Sequence, residues 1–410
     1  MRSRFPLVLS LLVSTTLIGA AVPAHAAAEA PVTLAGGIDF TGHGFGHGVG
    51  MSQYGAQGRA IKNQTAAQIL GFYYPGTAVG ATSGYIRVWL KGDLDSDTIV
   101  LPKTGLSIAD YGKGKVYTLP TTIGAKAWKL VGSGFDSGFK VSYQNNGWHP
   151  YLPGGHALTG LGEFRNTKSF VVTVRMPGAD KSYRGAIRRQ NGHTINRTGF
   201  DSYVKGVVPA EMPPSWRLEA LKAQAVAART YGASHLDTAP GDSWDVRDTT
   251  DDQVYGGMSA ETTKTNQAVT ATAGQILTFG TPAKAADAKF SSSNGGWTVD
   301  GGQPYLPAQQ DTFEGYAGVL QTWHYPAPEA TLAANLAAYI RNTLGGEIGT
   351  PQSVQVLVRD GNGSDWGGRV TSIKVFGTQS RSITMTGSQF RFALSLRSTW
   401  FQMTKPAPTP

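Results

Sequence analysis

Between residues 85 and 187 short apolar runs recur along the chain: YIRVWL, TIVL, LSIAD, KVYTL, AKAWKLV, FKVSY, FVVTVRM and SYRGAIRR, separated by Gly, Asp, Asn and Pro. Runs of this length with turn residues between them predict an antiparallel sheet unit or small barrel. Helical periodicity is concentrated elsewhere. From Trp216 onward Leu218, Leu221, Ala225 and Ala228 recur at spacings of three, four and three. That spacing predicts a helix with one close-packing stripe, capped by Ser215. Lys222 and Arg229 lie seven apart, as do Gln224 and Tyr231, and are expected in line on the polar side of that helix. Further helices are predicted from Ser52, over 65–70, over 262–272 and over 330–341, and strands over 275–279, 285–290, 354–359 and 370–376. The pattern as a whole is that of an α+β fold, rich in strands with a few helices.

The first 26 residues read differently. Arg2 and Arg4 precede an apolar run over 6–22, which Ser10, Ser14, Thr15 and Thr16 interrupt, and Ala24-His25-Ala26 fits a cleavage site. A secretory signal is expected there rather than a membrane anchor, so the protein is expected to be secreted, extracellular or wall-associated, with no membrane contact after cleavage. The chain is basic, at +9; the signal holds two arginines and no acidic residue, which leaves +7 without it. Outside a cell such a charge draws a protein to wall polyanions. No Lys/Arg block interleaved with aromatics is present, which argues against nucleic acid as a partner. The absence of cysteine excludes disulfides, a lipidation site and a thiolate zinc site. Composition shifts divide the rest into a Gly/His-rich segment over 27–80 that packs on the core, the antiparallel unit over 81–185, a core over 186–403 and a disordered Pro-rich tail over 404–410.

Candidate chemistry centres on Glu211. It stands between the apolar Val207-Val208-Pro209-Ala210 and the turn Met212-Pro213-Pro214. Poor solvation raises a carboxyl pKa, and a protonated carboxyl can act as a general acid in glycosidic cleavage. The other reading of the same residue is an ordinary turn glutamate paired with Lys222 or Arg229. His43 and His47 are four apart, but their glycine-rich surroundings argue against the helix on which such a pair would chelate a metal. They read as structural or sugar-contacting. The acidic loop with Asp237, Asp242, Asp245, Asp248, Asp251 and Asp252 lacks the ligand spacing of a calcium loop. No metal and no cofactor is expected. Over 291–296, serine hydroxyls and bare glycine amides suit sugar hydroxyls.

The segment VKGVVPAEMPPSW, followed by EALKAQAVAARTY, resembles the signature of the SpoIID/LytB family, which contains a sporulation protein and an amidase enhancer. DTTDDQVY, AVTATAGQILTF, DAKFSSSNGGWT and FRFALSLRSTWF resemble later blocks of that family, the last its late strand, all in one order over about half the chain. GHGFGHGVGMSQYGA resembles a segment that usually stands after that strand, so the order of blocks here looks circularly permuted. Residues 42–55 are therefore expected beside residues 394–401, completing one groove with Glu211. The resemblance implies a SpoIID-like core around a glycan-binding groove and a peptidoglycan lytic transglycosylase. In that reading Glu211 is catalytic, and Lys222, Gln224, Arg229, Tyr231, Gln253, Tyr255, Ser292, Ser293, Gly295, His43, His47 and Gln53 contact the glycan strands. Ser291 stands where many members carry histidine, and Asp251 and Asp252 stand where some carry zinc ligands. The amidase enhancer implies a second reading, a wall-binding protein that serves an amidase partner without turnover.

Overall fold

The computed structural model describes residues 28–407 except 133, 135–137, 237–242, 318–321, 364 and 379, so the expected signal segment lies outside the described residues. Seven helices stand among those described: α1 (Gln53–Ile61), α2 (Ala66–Tyr73), α3 (Phe200–Glu211), α4 (Leu218–Ser234), α5 (Thr263–Ala271), α6 (Glu329–Leu344) and α7 (Gly387–Leu394). None is long and apolar enough to cross a membrane. With strands in several sheets the fold is α+β, as the residue pattern predicts.

The central region forms two sheets. One runs Trp148–Tyr151, Lys140–Gln144, Ala127–Val131, Asp97–Val100, Val171–Val174 and Lys181–Arg184. The other runs Val246–Arg247, Tyr85–Trp89, His193–Gly199, Ala186–Gln190, Gly162–Asn166, Leu106–Asp110 and Lys115–Thr118. This second sheet crosses the expected boundary at residue 185, so the β unit and the core share a continuous ladder. His193–Gly199 has no apolar alternation because three of the four residues it buries, Thr194, Asn196 and Thr198, are polar and only Ile195 is apolar. Thr194 pairs with Thr98, and Asn196 Nδ2 donates to the carbonyls of Arg184 and Ala186. The strand leads directly into α3, so the sheet fixes where α3 starts.

Helix α4 departs from its predicted form. Arg217, not Ser215, is its cap, and α1, α2, α3, α5 and the strand Gln275–Phe279 all pack against it. A helix covered on so many sides keeps only part of its polar side wet: Glu219, Lys222 and Tyr231 are partly exposed, whereas Gln224 and Arg229 are fully buried. Ala220, Leu221, Ala225 and Ala228 join Val204, Val207 and Val208 of α3 in the larger core. A second core gathers Phe40, Leu332, Leu336, Val354, Ile373, Phe390 and Phe401.

The late segment is likewise not one strand. Thr386 and Gln389 form a reciprocal capping box that starts α7, and the strand Trp400–Thr404 follows. That strand pairs with Ile38–His43, setting Gly42 opposite Phe401 and His43 opposite Trp400. The Gly/His-rich segment and the late strand are therefore neighbours, as expected. Thr404 belongs to this sheet, and Lys405 Nζ donates to the carbonyls of Thr33 and Gly37, so the expected disordered tail begins as ordered chain; residues 408–410 lie outside the described residues.

Candidate functional site

Glu211 is the last residue of α3. Gly206, Val207, Val208 and Pro209 are poor helix formers, which is why the sequence reads as a non-helical apolar run. Tertiary packing overrides them. A Cβ on Gly206 would lie 2.5 Å from the Tyr255 ring and 2.9 Å from the Gly257 carbonyl, so the loop after Val246–Arg247 can lie against α3 only because residue 206 is glycine. Gly256 N donates to Gly206 O and locks that approach. As a result Val254 N points at Glu211 and donates to Oε1 at 2.7 Å.

The second partner arrives from the other end of the chain. Gly50 has φ +68°, and a Cβ there would stand 2.1 Å from the Lys289 carbonyl. Met51–Ser52 consequently pairs in parallel with Phe290–Ser291, and α1 starts with Ser52 as N-cap. Its first residue, Gln53, donates through Nε2 to Glu211 Oε2 at 3.2 Å. The next, Tyr54, meets Trp216 edge-on with ring centroids 5.0 Å apart. Among the described residues Glu211 thus has two hydrogen-bond donors and no cation within ion-pair distance. Its burial outweighs both donors and raises the carboxyl pKa above its ordinary value. Neither expected salt partner reaches it: Lys222 pairs with Glu219, and Arg229 with Asp201.

Most of the remaining expected contacts belong to the framework. Arg229 donates to Asp201 and to the carbonyls of Ala225 and Gln275, tying α3, α4 and a strand together. Gln253 accepts from Tyr203 OH and donates to Ala228 O, while Tyr255 OH donates to Asn196. Gln224 has no hydrogen-bond partner for its buried amide among the described residues. These four are enclosed rather than open to a ligand, because α4 and the loop beside it are packed from all sides. Ser292 offers its carbonyl to Tyr54 N, and Gly295 N donates to Ser293 Oγ, so that glycine amide is already used.

Tyr231, His43 and His47 remain accessible. Tyr231 donates to Asp252 and lines a cleft with His47, Val49, Thr250, Lys289 and Phe290. His43 stacks on Trp366, meets Trp400 edge-on and places Nε2 2.9 Å from Asp365. Three acids of the loop are paired with cations: Asp245 binds Arg87, Asp251 binds Lys91 and Asp252 binds Arg247. Asp237 and Asp242 lie outside the described residues.

A second carboxyl site went unpredicted. Glu314 is 2% exposed, accepts from Ser52 Oγ at 2.6 Å and from Ser293 Oγ, and is pushed by burial up to about 7. It lines a cleft with His43, Gly295, Trp297 and Trp400. Beside it Asp311 is held by Arg59, Tyr73 and Asn294. Ser52 and Gln53, adjacent in sequence, therefore hold one carboxyl each. The signal in the sequence was slight: two acids three apart, in the Gln-Asp-Thr-Phe-Glu stretch, with no motif around them.

Residues 188–279 match the SpoIID family, described as Stage II sporulation protein. Over 115 residues the chain is 47% identical to the amidase enhancer of Bacillus subtilis (strain 168), covering 27% of this chain and 15% of that protein. Over 128 residues it is 36% identical to stage II sporulation protein D of the same organism, and over 127 residues 34% identical to that of Bacillus amyloliquefaciens. Each of these two matches covers 27% of this chain and 36% of the relative. The chain thus spans well under half the length of these relatives. The matched stretch holds α3, Glu211, α4 and the loop that delivers Val254, so the likeness to the SpoIID family and to these relatives falls on the elements that build the Glu211 site.

Proposed function

We propose that this protein acts on the bacterial cell wall as a peptidoglycan lytic transglycosylase, with Glu211 as its acid and base. The observation that carries the reading is the state of that carboxyl: half-buried, pushed toward its neutral form, yet offered two donors that can hold the carboxylate once the proton has left. A group that must give a proton and then take one is served by that balance.

In the proposed reaction the Glu211 carboxyl protonates the oxygen joining MurNAc to GlcNAc as the bond from C1 to that oxygen breaks. The resulting carboxylate, held by Gln53 Nε2 and Val254 N, takes the proton of the C6 hydroxyl of the same MurNAc. O6 closes on C1 to give a 1,6-anhydro ring, no water is consumed, and Glu211 ends protonated as it began. The scheme requires one carboxyl rather than the pair of a hydrolase. Tyr54 and Trp216 offer faces on which sugar rings can stack beside it. Amidase-stripped glycan strands incubated with wild-type protein are expected to yield 1,6-anhydro-muramyl ends by mass spectrometry, and the Glu211→Gln variant none. Equal yields from the two proteins would refute the assignment.

The amidase enhancer relative supports a second reading, in which the same groove holds glycan for an amidase partner without cleaving it. Strand binding without products, together with a faster amidase in its presence, is the expected outcome of that reading.

A further inference from the structure

A cleft on the far side of His47 from Tyr231 has features that the proposed chemistry does not use. His47 and Val49 line both clefts, so the two are contiguous. The far cleft is also lined by Arg369, Asn362, Val299, Val370 and the first two residues of α7. Arg369 is 3% exposed and its guanidinium lies 5.6 Å from the Trp400 ring centroid; its Nη2 donates to Asn294 O at 2.7 Å, and its Nη1 is buried with no hydrogen-bond partner among the described residues. A buried guanidinium N–H without an acceptor is rare enough to call for one. The opposite wall supplies a second attraction of the same sign. In α7 the Thr386 side chain satisfies Gln389 N, which leaves the N–H groups of Gly387 and Ser388 without an intrahelical acceptor at the positive end of the helix.

Two acids share the cleft. Asp360 Oδ1 is occupied by the N–H groups of Asn362 and Arg369, and the exposed Asp300 accepts from Gly302 N at the rim. Against them stand Arg369 and, within electrostatic reach of the same His47, Arg391, while nearby Lys289 is paired with Asp287.

We propose that the cleft between Arg369 and the N-terminus of α7 is a subsite for a carboxylate of the bound glycan strand. This takes its ligand class from the proposed function. Val49, Val299 and Val370 give the cleft an apolar side, which suits a carboxylate whose neighbouring carbon bears a methyl group. Two sources in peptidoglycan have that chemistry, the lactyl group of a stripped muramic acid and the terminal alanine of a peptide stem.

The test uses the full chain carrying Glu211→Gln, so that ligands are held without turnover, and titrates three soluble oligomers by calorimetry. These are peptide-stripped muramyl oligomers, stem-bearing oligomers whose lactyl group is amidated, and GlcNAc oligomers with no carboxylate. At least one carboxylate-bearing ligand is expected to bind roughly tenfold tighter than the GlcNAc oligomers, as a charge-assisted hydrogen bond requires. Which of the two does so identifies the source. Adding Arg369→Gln should abolish that advantage. Because Arg369 is buried, Ser388→Asp serves as the second variant: it places a carboxylate in the cleft at a helix position that favours one, so the fold is kept while the ligand is displaced. Equal affinity for all three ligands, or an advantage that survives Ser388→Asp, overturns the subsite. Binding is read without catalysis, so wild-type protein that forms no anhydro ends would remove the transglycosylase and leave this result standing.

Discussion

Glu314→Gln is the substitution with the most to say about the buried carboxyl site. In the native protein Glu314 titrates at about 7 against an ordinary 4.5. Below pH 4.5 the carboxyl is protonated in both folded and unfolded chains and contributes no pH dependence. Between 4.5 and 7 the folded chain keeps a proton that the unfolded chain has released, so stability falls as pH rises through that window. Above it the cost is complete, at about 3 kcal/mol from 1.36 kcal/mol per unit. Glutamine is neutral throughout and keeps the shape. Its carbonyl can accept from Ser293 Oγ and its amide can donate to Ser52 Oγ, whose own proton can turn to Ser292 O, 3.4 Å away. Urea denaturation of both proteins at half-unit steps from pH 4.5 to 8 is the assay. The variant is expected to gain on the wild type by about 3 kcal/mol across the series, with most of the change between pH 5 and 7. A difference that stays constant with pH would show that Glu314 is ionised in the folded protein and that its burial has been misjudged.

Other outcomes follow from the same contacts. Gln53→Leu removes a donor that favours the Glu211 carboxylate, so the Glu211 pKa should rise further and the pH–rate profile for anhydro-product formation should move to higher pH by up to about one unit. Gly206→Ala drives a methyl group into Tyr255 and Gly257 O; a loss of roughly 1–3 kcal/mol in denaturant titrations is expected, with a larger loss of activity as Val254 N leaves Glu211. Arg229→Met strips the Ala225 and Gln275 carbonyls of their buried donor, at a cost of roughly 1–3 kcal/mol for each by the same measurement, while the Asp201 it leaves behind is 43% exposed and can turn to water. Lys222→Ala breaks a partly exposed pair with Glu219 and should change stability by less than about 1 kcal/mol.

How far the sequence carried depended on whether local signals and tertiary packing agreed. The central strands were legible because apolar runs and turn residues coincided, whereas His193–Gly199 was hidden by buried Thr194, Asn196 and Thr198. Helix α4 was legible as a helix but not in its surroundings. Seven-residue spacing puts Gln224 and Tyr231 in line, yet it says nothing of the helices that enclose the first and leave the second at a cleft. The desolvation of Glu211 followed from its neighbours in sequence, and the approach of residues 42–55 to the late strand followed from the family resemblance. Its hydrogen-bond partners did not follow, because one comes from 158 residues away and the other is a backbone N–H set by Gly206. Glu314 and Asp311 lie in a stretch whose meaning appears only when Ser52 and Arg59 are brought against it.

The proposed cleavage of glycan strands by Glu211 without water can be read by digestion in ¹⁸O-labelled water followed by mass spectrometry of the new ends. Unlabelled 1,6-anhydro-muramyl ends are expected from the wild type and no new ends from Glu211→Gln. Labelled reducing ends would make the protein a hydrolase, and the absence of new ends from either protein would contradict catalysis at this site.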